Sequence, residues 1–246
     1  MKGGLKQRIE SILGVKIYRG WFPRGMNLSF DLLRLLPQKE IVICDVGANV
    51  GQTALEFSRS HPGAIIHAFE PIPATYHLLA QNTERQPRIK SHRLAIGEEE
   101  GQFDMFLYEG TVNNSLTPDP GRQSQGKVSV DVATLDGFCP KEGIHSIDLL
   151  KIDTEGHDLK VIHGARNLFR DHRVSVVVAE LGFSATNRKH VPFTTFLEEM
   201  QSLDMELFGI YDQRREFNSV QELRRADCVF VCRAHQYPQL AFSPDA

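Results

Sequence analysis

Five apolar runs divide the chain into a regular series of candidate strands. They occupy residues 41–44, 64–69, 93–96, 147–152 and 174–181. Apolar residues follow one another in these runs instead of alternating with polar ones, which is typical of strands that are covered on both faces in a parallel sheet. The pattern therefore predicts a buried, mostly parallel sheet.

Segments with helical spacing separate these runs. Residues 52–60 and 74–83 follow the first two runs, and residues 158–170 and 193–202 follow the fourth and fifth. Alternation of this kind favours right-handed crossovers and one doubly wound α/β sheet. We predict a helical lead-in or cap over residues 1–40 and a single α/β domain over residues 41–246.

Two stretches depart from the simple repeat. Residues 102–108 and 127–133 are β-like and flank a segment rich in Pro, Gly, Asn and Ser at residues 111–126. This predicts an inserted β-hairpin with a long loop. Residues 205–211 and 228–233 are joined by a polar connector without a strong helical pattern, which predicts an antiparallel terminal pair at the edge of the sheet.

Composition narrows the class of protein. With 246 residues and 41% hydrophobic content, the chain can bury the core of one compact domain. A formal net charge of −3 gives no overall basic field, so nucleic acid is not an expected partner. No apolar stretch approaches the ~18 residues that span a bilayer. Four cysteines are too few for a disulfide framework, and we expect a cytoplasmic protein with buried thiols.

A nucleotide-binding turn follows the first run. The segment Asp-Val-Gly-Ala-Asn-Val-Gly at 45–51 leads from a strand into a helix. Gly47 and Gly51 allow a tight turn and a close approach of the backbone to a ligand. Glu70 ends the second run, where a carboxylate can accept both hydroxyls of a ribose. Together these features predict a nucleoside site.

The residues within the turn distinguish among nucleoside ligands. Asn49 stands where the dinucleotide fingerprint has the glycine that admits a pyrophosphate. In a dinucleotide site, Asp45 would place its negative charge near a phosphate, which is unfavourable. The same charge suits the ammonium of an amino-acid moiety. The phosphate-cradling motif G-x-x-x-x-G-K-[ST] is absent from the sequence. The site is therefore predicted to take a zwitterionic nucleoside.

Four motifs resemble those of the FkbM-type methyltransferases, which have the class I S-adenosylmethionine-dependent fold. They are D-V-G-A-N-V-G at 45–51, F-E-P at 69–71, N-N-S at 113–115 and I-D-L-L-K-I-D-T-E-G at 147–156. The resemblance implies a Rossmann-like, seven-stranded sheet with an antiparallel last strand. It also implies methyl transfer from S-adenosylmethionine to an oxygen, often a hydroxyl of a sugar or a polyketide-like natural product. Asp158 replaces a common Glu of the family.

The expected contacts of the cofactor follow from the turn and from the resemblance. We expect them at Asp45, Gly47, Asn49, Gly51, Glu70, Pro71, Ala95, Ile96 and Asp153. Asn114 and Ser115 are expected to bind a polyhydroxylated acceptor, although both could equally form turns. Choice of the acceptor, a small molecule or a glycan, is expected to lie with residues 1–40 and 111–126.

Several charged residues near the fourth and fifth runs are candidates for catalysis. Asp153 directly follows the fourth run and Glu180 lies near the end of the fifth, so both should reach the rim where open α/β sheets bind ligands. Glu155 is explained equally well as a helix cap. Lys151 lies within an apolar run, where an unpaired ammonium is costly. Pairing with Asp153, Glu155 or Asp45 is therefore favoured over direct catalysis.

Three further alternatives stay open. His157 could be a general base, but a solvent-facing helical histidine is the more ordinary explanation. Asp153 and Glu180 could share a divalent ion, but no third ligand is fixed, so no metal is predicted. An NAD-dependent oxidoreductase or epimerase shares the strand, turn and acidic residue, and a non-catalytic cofactor-binding module would keep the same fold.

Overall fold

The computed structural model describes residues 9–13, 23–37, 39–108, 124–216 and 221–237. These residues contain ten strands and seven helices, besides a short helical segment at residues 9–13. The strands are β1 (Val42–Val46), β2 (Ile65–Phe69), β3 (Ile89–His92), β4 (Ala95–Ile96), β5 (Gly101–Leu107), β6 (Gly126–Ala133), β7 (Ile147–Ile152), β8 (Val174–Gly182), β9 (Met205–Arg215) and β10 (Leu223–Cys232). The helices are α1 (Leu28–Leu35), α2 (Gln52–Ser60), α3 (Pro73–Thr83), α4 (Leu135–Lys141), α5 (Asp158–His163), α6 (Arg166–Arg170) and α7 (Phe193–Ser202).

Seven of the strands form one sheet in the order β3-β2-β1-β7-β8-β10-β9. Strands β3, β2, β1, β7 and β8 pair in parallel, whereas β10 is antiparallel to both β8 and β9. The predicted α/β fold class, with a mostly parallel seven-stranded sheet and an antiparallel terminal strand, is confirmed. The terminal pair lies at the edge of the sheet, as the apolar runs near the C-terminus predict.

Helices cover both faces of this sheet. Successive residues of β1 illustrate why its sequence is continuously apolar: Cys44 packs into the cluster that includes α4, α5 and α7, and Ile43 packs into the cluster that includes α1 and α2. Both residues are fully buried. Burial of alternate residues on opposite faces is the arrangement that a doubly wound sheet requires.

A second, three-stranded sheet has the order β4-β6-β5. Strands β5 and β6 pair in antiparallel register, which confirms the inserted hairpin. The prediction that residues 93–96 form the third strand of the main sheet is wrong. The strand next to β2 in that sheet is β3, whose partly exposed Ile-Lys-Ser-His sequence gives no continuous apolar signal. Residues 95–96 form β4, which pairs with β6 in the second sheet.

Two helical predictions also need correction. The single helix expected over residues 158–170 is divided into α5 and α6 at Gly164, where a Cβ would collide with the backbone oxygen of Gly97. Helix α4 was not predicted from the sequence, because it is short and contains Pro140.

All four cysteines are buried, free thiols. None of the described helices is long and apolar enough to cross a membrane.

Candidate active site

A cleft opens beside the carboxyl ends of β1, β2 and β7, the edge at which open α/β sheets bind ligands. Most of the residues predicted for the site line it: Gly47, Asn49, Glu70, Pro71, Ala95, Ile96, Asp153, Glu155 and His157. Apolar side chains that sequence analysis missed, among them Ile72, Leu94 and Met105, complete the wall. The predicted residues are thus brought together from four separate segments of the chain.

The turn after β1 depends on backbone conformations that favour glycine. Gly47 has φ +82°, and a Cβ there would collide with the backbone oxygen of Asp153. Gly51 has φ +92° and precedes α2, although it does not itself line the cleft. Asn49 adopts φ +51°, and its Oδ1 is buried without a hydrogen-bond partner among the described residues. The turn therefore brings backbone and an unsatisfied amide oxygen to the cleft.

Glu70 follows β2 and is 7% exposed. Its Oε1 accepts a hydrogen bond from the backbone N–H of Ile72 at 3.0 Å. Burial raises the pKa of Glu70 to about 7, against the opposing effect of backbone hydrogen bonds from Ile72 and Asn49. The carboxyl group is therefore held in place and is sensitive to pH near neutrality.

An ammonium lies between two carboxylates at the junction of β1 and β7. Asp45 is opposite Lys151 in the register of these strands. Nζ of Lys151 lies 3.1 Å from Oδ2 of Asp153 and 3.9 Å from Oδ1 of Asp45. The expectation that Lys151 pairs with a nearby acid is confirmed for Asp153 and Asp45. Glu155, the third partner considered, instead lies beside Lys189.

These charges set each other's ionisation. Burial would lower the pKa of Lys151, but the carboxylates of Asp153 and Asp45 outweigh it and raise the pKa overall. Burial would raise the pKa of Asp153, yet Lys151 holds it below the ordinary value. The pKa of the fully buried Asp45 is raised to about 6, chiefly by desolvation. Asp153, whose side chain is 37% exposed, is thus an ionised carboxylate on the cleft wall.

Glu155 does not cap a helix, so that interpretation is wrong. Helix α5 begins at Asp158 with His157 as its N-cap residue. Glu155 has φ +57°, and its carboxylate lies 2.8 Å from Nζ of Lys189 and 3.8 Å from Nε2 of His190. A left-handed conformation is costly for a residue with a side chain, and here it directs Glu155 towards two basic groups.

His157 is not the solvent-facing residue that the sequence suggested. It is 8% exposed and lines the cleft. Burial lowers its pKa to about 4, assisted by Lys160, so the imidazole is neutral at physiological pH. Its Nδ1 has no hydrogen-bond partner among the described residues. The segment between β7 and α5 therefore buries the imidazole instead of exposing it to solvent.

Glu180 is engaged by two basic side chains. His190 Nε2 lies 2.8 Å from its Oε2, and Arg225 forms an ion pair with its Oε1. His190 is itself buried and also contacts Oδ1 of Asn187 at 3.0 Å. Sequence reasoning missed Lys189, His190 and Arg225 because they come from the segment after β8 and from β10, and no local spacing links them to Asp153.

The remaining predictions concern Asn114, Ser115 and a divalent metal ion. Asn114 and Ser115 lie outside the described residues. Within the part of the chain that is described, no three His, Cys, Asp or Glu side chains are grouped so as to hold a metal ion.

Comparisons with known proteins agree with this architecture. The 2-O-methyltransferase NoeI of Sinorhizobium fredii is 24% identical over 195 residues, covering 74% of this chain and 79% of the relative. The 31-O-demethyl-FK506 methyltransferase FkbM of Streptomyces tacrolimicus is 28% identical, covering 57% of this chain and 65% of the relative. The hexuronic acid methyltransferase AglP of Haloferax volcanii is also 28% identical, covering 65% of each chain. The chain thus spans just under two thirds of the last two relatives.

The solved structure of M. capricolum TrmK with S-adenosylhomocysteine is 11% identical in sequence to this chain and matches it with a TM-score of 0.47. The match covers 85% of this chain and 70% of TrmK. This similarity is too distant to bear on function. The sequence model described as "Methyltransferase FkbM domain" matches residues 45–217. This match extends from the glycine turn to just beyond β9 and includes Glu70 and Asp153, which line the cleft. The chain therefore belongs to the FkbM methyltransferase family and is a methyltransferase.

Proposed function

We propose that this protein transfers a methyl group from S-adenosylmethionine to a hydroxyl of a sugar or of a natural-product-like acceptor. The observation that carries the proposal is that one cleft combines the Gly47–Asn49 turn with two carboxyl groups, Glu70 and Asp153. The names of the relatives support an oxygen acceptor, since two of them specify O-methylation or an O-demethyl substrate, and a third specifies a hexuronic acid.

The residues of the cleft fit the parts of this cofactor. Glu70 would accept hydrogen bonds from the ribose hydroxyls, because its carboxyl group is fixed by the N–H of Ile72. The buried Oδ1 of Asn49, which has no partner within the described chain, is an acceptor for a further polar hydrogen of the ligand. Ala95 and Ile96 offer apolar surface to the base. Asp45 would favour the positively charged amino-acid end electrostatically, from behind the cleft wall.

Asp153 is the proposed acceptor of the hydroxyl proton. When bound, the cofactor supplies a methyl group already activated by a sulfonium, so the chain has to align the acceptor and take up its proton. Lys151 keeps Asp153 ionised and holds its Oδ2 at 3.1 Å. The partial exposure of Asp153 leaves room for an acceptor hydroxyl. Lys151 thus acts as a positioning residue.

The two alternative functions fit less well. An NAD-dependent enzyme needs room for a pyrophosphate at the turn, where this chain has Asn49 with a side chain. A non-catalytic module has no need of an ionised Asp153 maintained by a buried ammonium. Methyl transfer gives both Glu70 and Asp153 a role in the cleft.

Transfer of radiolabelled methyl groups to a panel of hydroxylated sugars, uronic acids and polyketide alcohols tests the proposal. We expect Asp153→Asn to lower kcat on the acceptor that is found by about 10² to 10⁴-fold while leaving cofactor affinity nearly unchanged. Asp148→Asn is the matched control, since Asp148 lies on β7, which Asp153 directly follows, but accepts a hydrogen bond from the backbone N–H of Val42. An Asp153→Asn enzyme with full activity would rule out the assigned base.

A further inference from the structure

Three side chains that line the cleft have a buried polar atom without a hydrogen-bond partner among the described residues. The atoms are Oδ1 of Asn49, Oγ1 of Thr154 and Nδ1 of His157. Asn49 belongs to the glycine turn, and Thr154 is adjacent to Asp153. His157 differs from both, because its ring lies against a different wall of the cleft.

A contact with the segment that follows β4 defines the position of His157. A Cβ added to Gly97 would lie 3.5 Å from Nε2 of His157. Gly97 directly follows Ala95 and Ile96, which line the same cleft. The imidazole therefore reaches from the segment after β7 to the backbone that follows β4.

Apolar side chains form much of the lining of the cleft. Ile72, Leu94, Ile96 and Met105 supply its aliphatic and thioether surface, which suits a flat aromatic ring, since a methionine sulfur contacts aromatic rings favourably. A purine also has polar edges, and burying them without a partner is costly. A neutral imidazole offers one N–H donor and one acceptor, so it can satisfy an edge that carries groups of either kind.

We propose that His157 hydrogen-bonds the purine base of the bound nucleoside and fixes it against Ile96 and Met105. The inference rests on the proposed function, because it assumes that the nucleoside is the adenosine part of S-adenosylmethionine. It assigns His157 to recognition of the cofactor and removes it from the candidate bases. The neutral state of the buried imidazole makes this contact independent of pH across the physiological range.

Two ligands that differ only in the base isolate the effect. S-adenosylhomocysteine contains the purine, whereas S-ribosylhomocysteine keeps the homocysteine and the ribose but lacks it. We expect His157→Phe to raise the Kd of S-adenosylhomocysteine about tenfold, the effect of one lost hydrogen bond. The Kd of S-ribosylhomocysteine, measured by displacement calorimetry, should not change.

A matched control and a conservative variant accompany this measurement. His61 is also buried and has a ring nitrogen, Nε2, without a hydrogen-bond partner in the described chain, but it lies at the end of α2 and not in the cleft. His61→Phe should leave both Kd values unchanged. His157→Asn puts an amide near the position of Nδ1 and should retain most of the affinity. If His157→Phe does not fold, His157→Leu replaces it in the same comparison.

Two results would overturn the assignment. One is an equal loss of affinity for both ligands in His157→Phe, and the other is an unchanged Kd for S-adenosylhomocysteine together with a fall in kcat. Failure of the wild-type protein to bind S-adenosylhomocysteine would instead contradict the proposed function, so the two failures are distinguishable.

Discussion

The ammonium of Lys151 lies 3.1 Å from the carboxylate of Asp153, two residues further along the chain. Lys151 is the last but one residue of β7, and Asp153 is the first residue after that strand. The same ammonium is 3.9 Å from Asp45, its neighbour across β1. One partly buried cation thus links the two central strands to the carboxylate that we assign to catalysis.

Replacing Lys151 should therefore destabilise the fold. Lys151→Met leaves the buried Asp45 and the partly exposed Asp153 without their cation. We expect a loss of about 3 kcal/mol in the free energy of unfolding, the low end for a broken buried pair, because solvent screens Asp153. The loss should be larger at pH 8 than at pH 5, because protonation at the lower pH neutralises the carboxylates. Urea unfolding at both pH values measures it.

Lys160 provides the control for this variant. Its ammonium pairs with Glu98 at 3.0 Å, but its side chain is 48% exposed. Lys160→Met should cost less than about 1 kcal/mol, as exposed ion pairs do. Similar losses for the two variants would show that the position of Lys151 between two carboxylates has no special importance.

Cofactor affinity should depend on pH through Glu70. Its pKa is raised to about 7, and only the ionised carboxylate can accept hydrogen bonds from both ribose hydroxyls at full strength. The Kd of S-adenosylhomocysteine should therefore fall as the pH rises through about 7. In Glu70→Gln the Kd should be higher, by about tenfold at pH 8, and almost independent of pH. A pH-independent Kd in the wild type would contradict the assignment.

The same carboxyl group should reduce the stability of the folded protein at high pH. The pKa of Glu70 is raised from its ordinary value of 4.5 to about 7 in the folded state. Between these pH values the folded state therefore binds more protons than the unfolded state. The folded protein loses stability as the pH rises through this window. Glu70→Gln should therefore be more stable than wild type at pH 8, by up to roughly 3 kcal/mol, and nearly equal to it at pH 4.5. Thermal unfolding in the absence of ligand measures the difference, and a variant that is less stable at pH 8 would contradict it.

The glycine turn can be tested with a pair of alanine variants. Gly47 and Gly25 have almost the same backbone conformation, with φ +82° and +84°. A Cβ at Gly47 meets the backbone of Asp153, whereas a Cβ at Gly25 meets no atom of the described residues within 4 Å. Gly25→Ala should cost about 1–2 kcal/mol from its left-handed conformation alone. Gly47→Ala should cost clearly more in urea unfolding and abolish cofactor binding, and equal costs would mean that the close approach is unimportant.

Much of the fold could be predicted from the sequence, because its central elements have strong local signals. The bounds of α2, β7 and α7 agree with the prediction at both ends, since buried strands and amphipathic helices have distinct periodicities. Strand β3 lies at the edge of the sheet and is partly exposed. It was misplaced because its sequence lacks that periodicity.

The site was predictable where one segment carries several of its residues. Asp45, Gly47 and Asn49 belong to one turn, and Lys151 and Asp153 are two residues apart, so their proximity follows from local geometry. The surroundings of Glu180 depend instead on the register of β8 with β10, which brings Arg225 to its carboxylate. The burial of His157 likewise depends on tertiary packing beside Gly97. Neither contact has a signature in the local sequence.

The most direct test of the cofactor site is calorimetric titration of the purified protein with S-adenosylhomocysteine, with NAD as the parallel ligand. We expect S-adenosylhomocysteine to bind with a Kd of order 1–100 μM and NAD to show no detectable binding. The reason is that Asn49 occupies the turn where a pyrophosphate would lie, and Glu70 lines the cleft together with apolar residues. Binding of NAD alone, or of neither ligand, would contradict it.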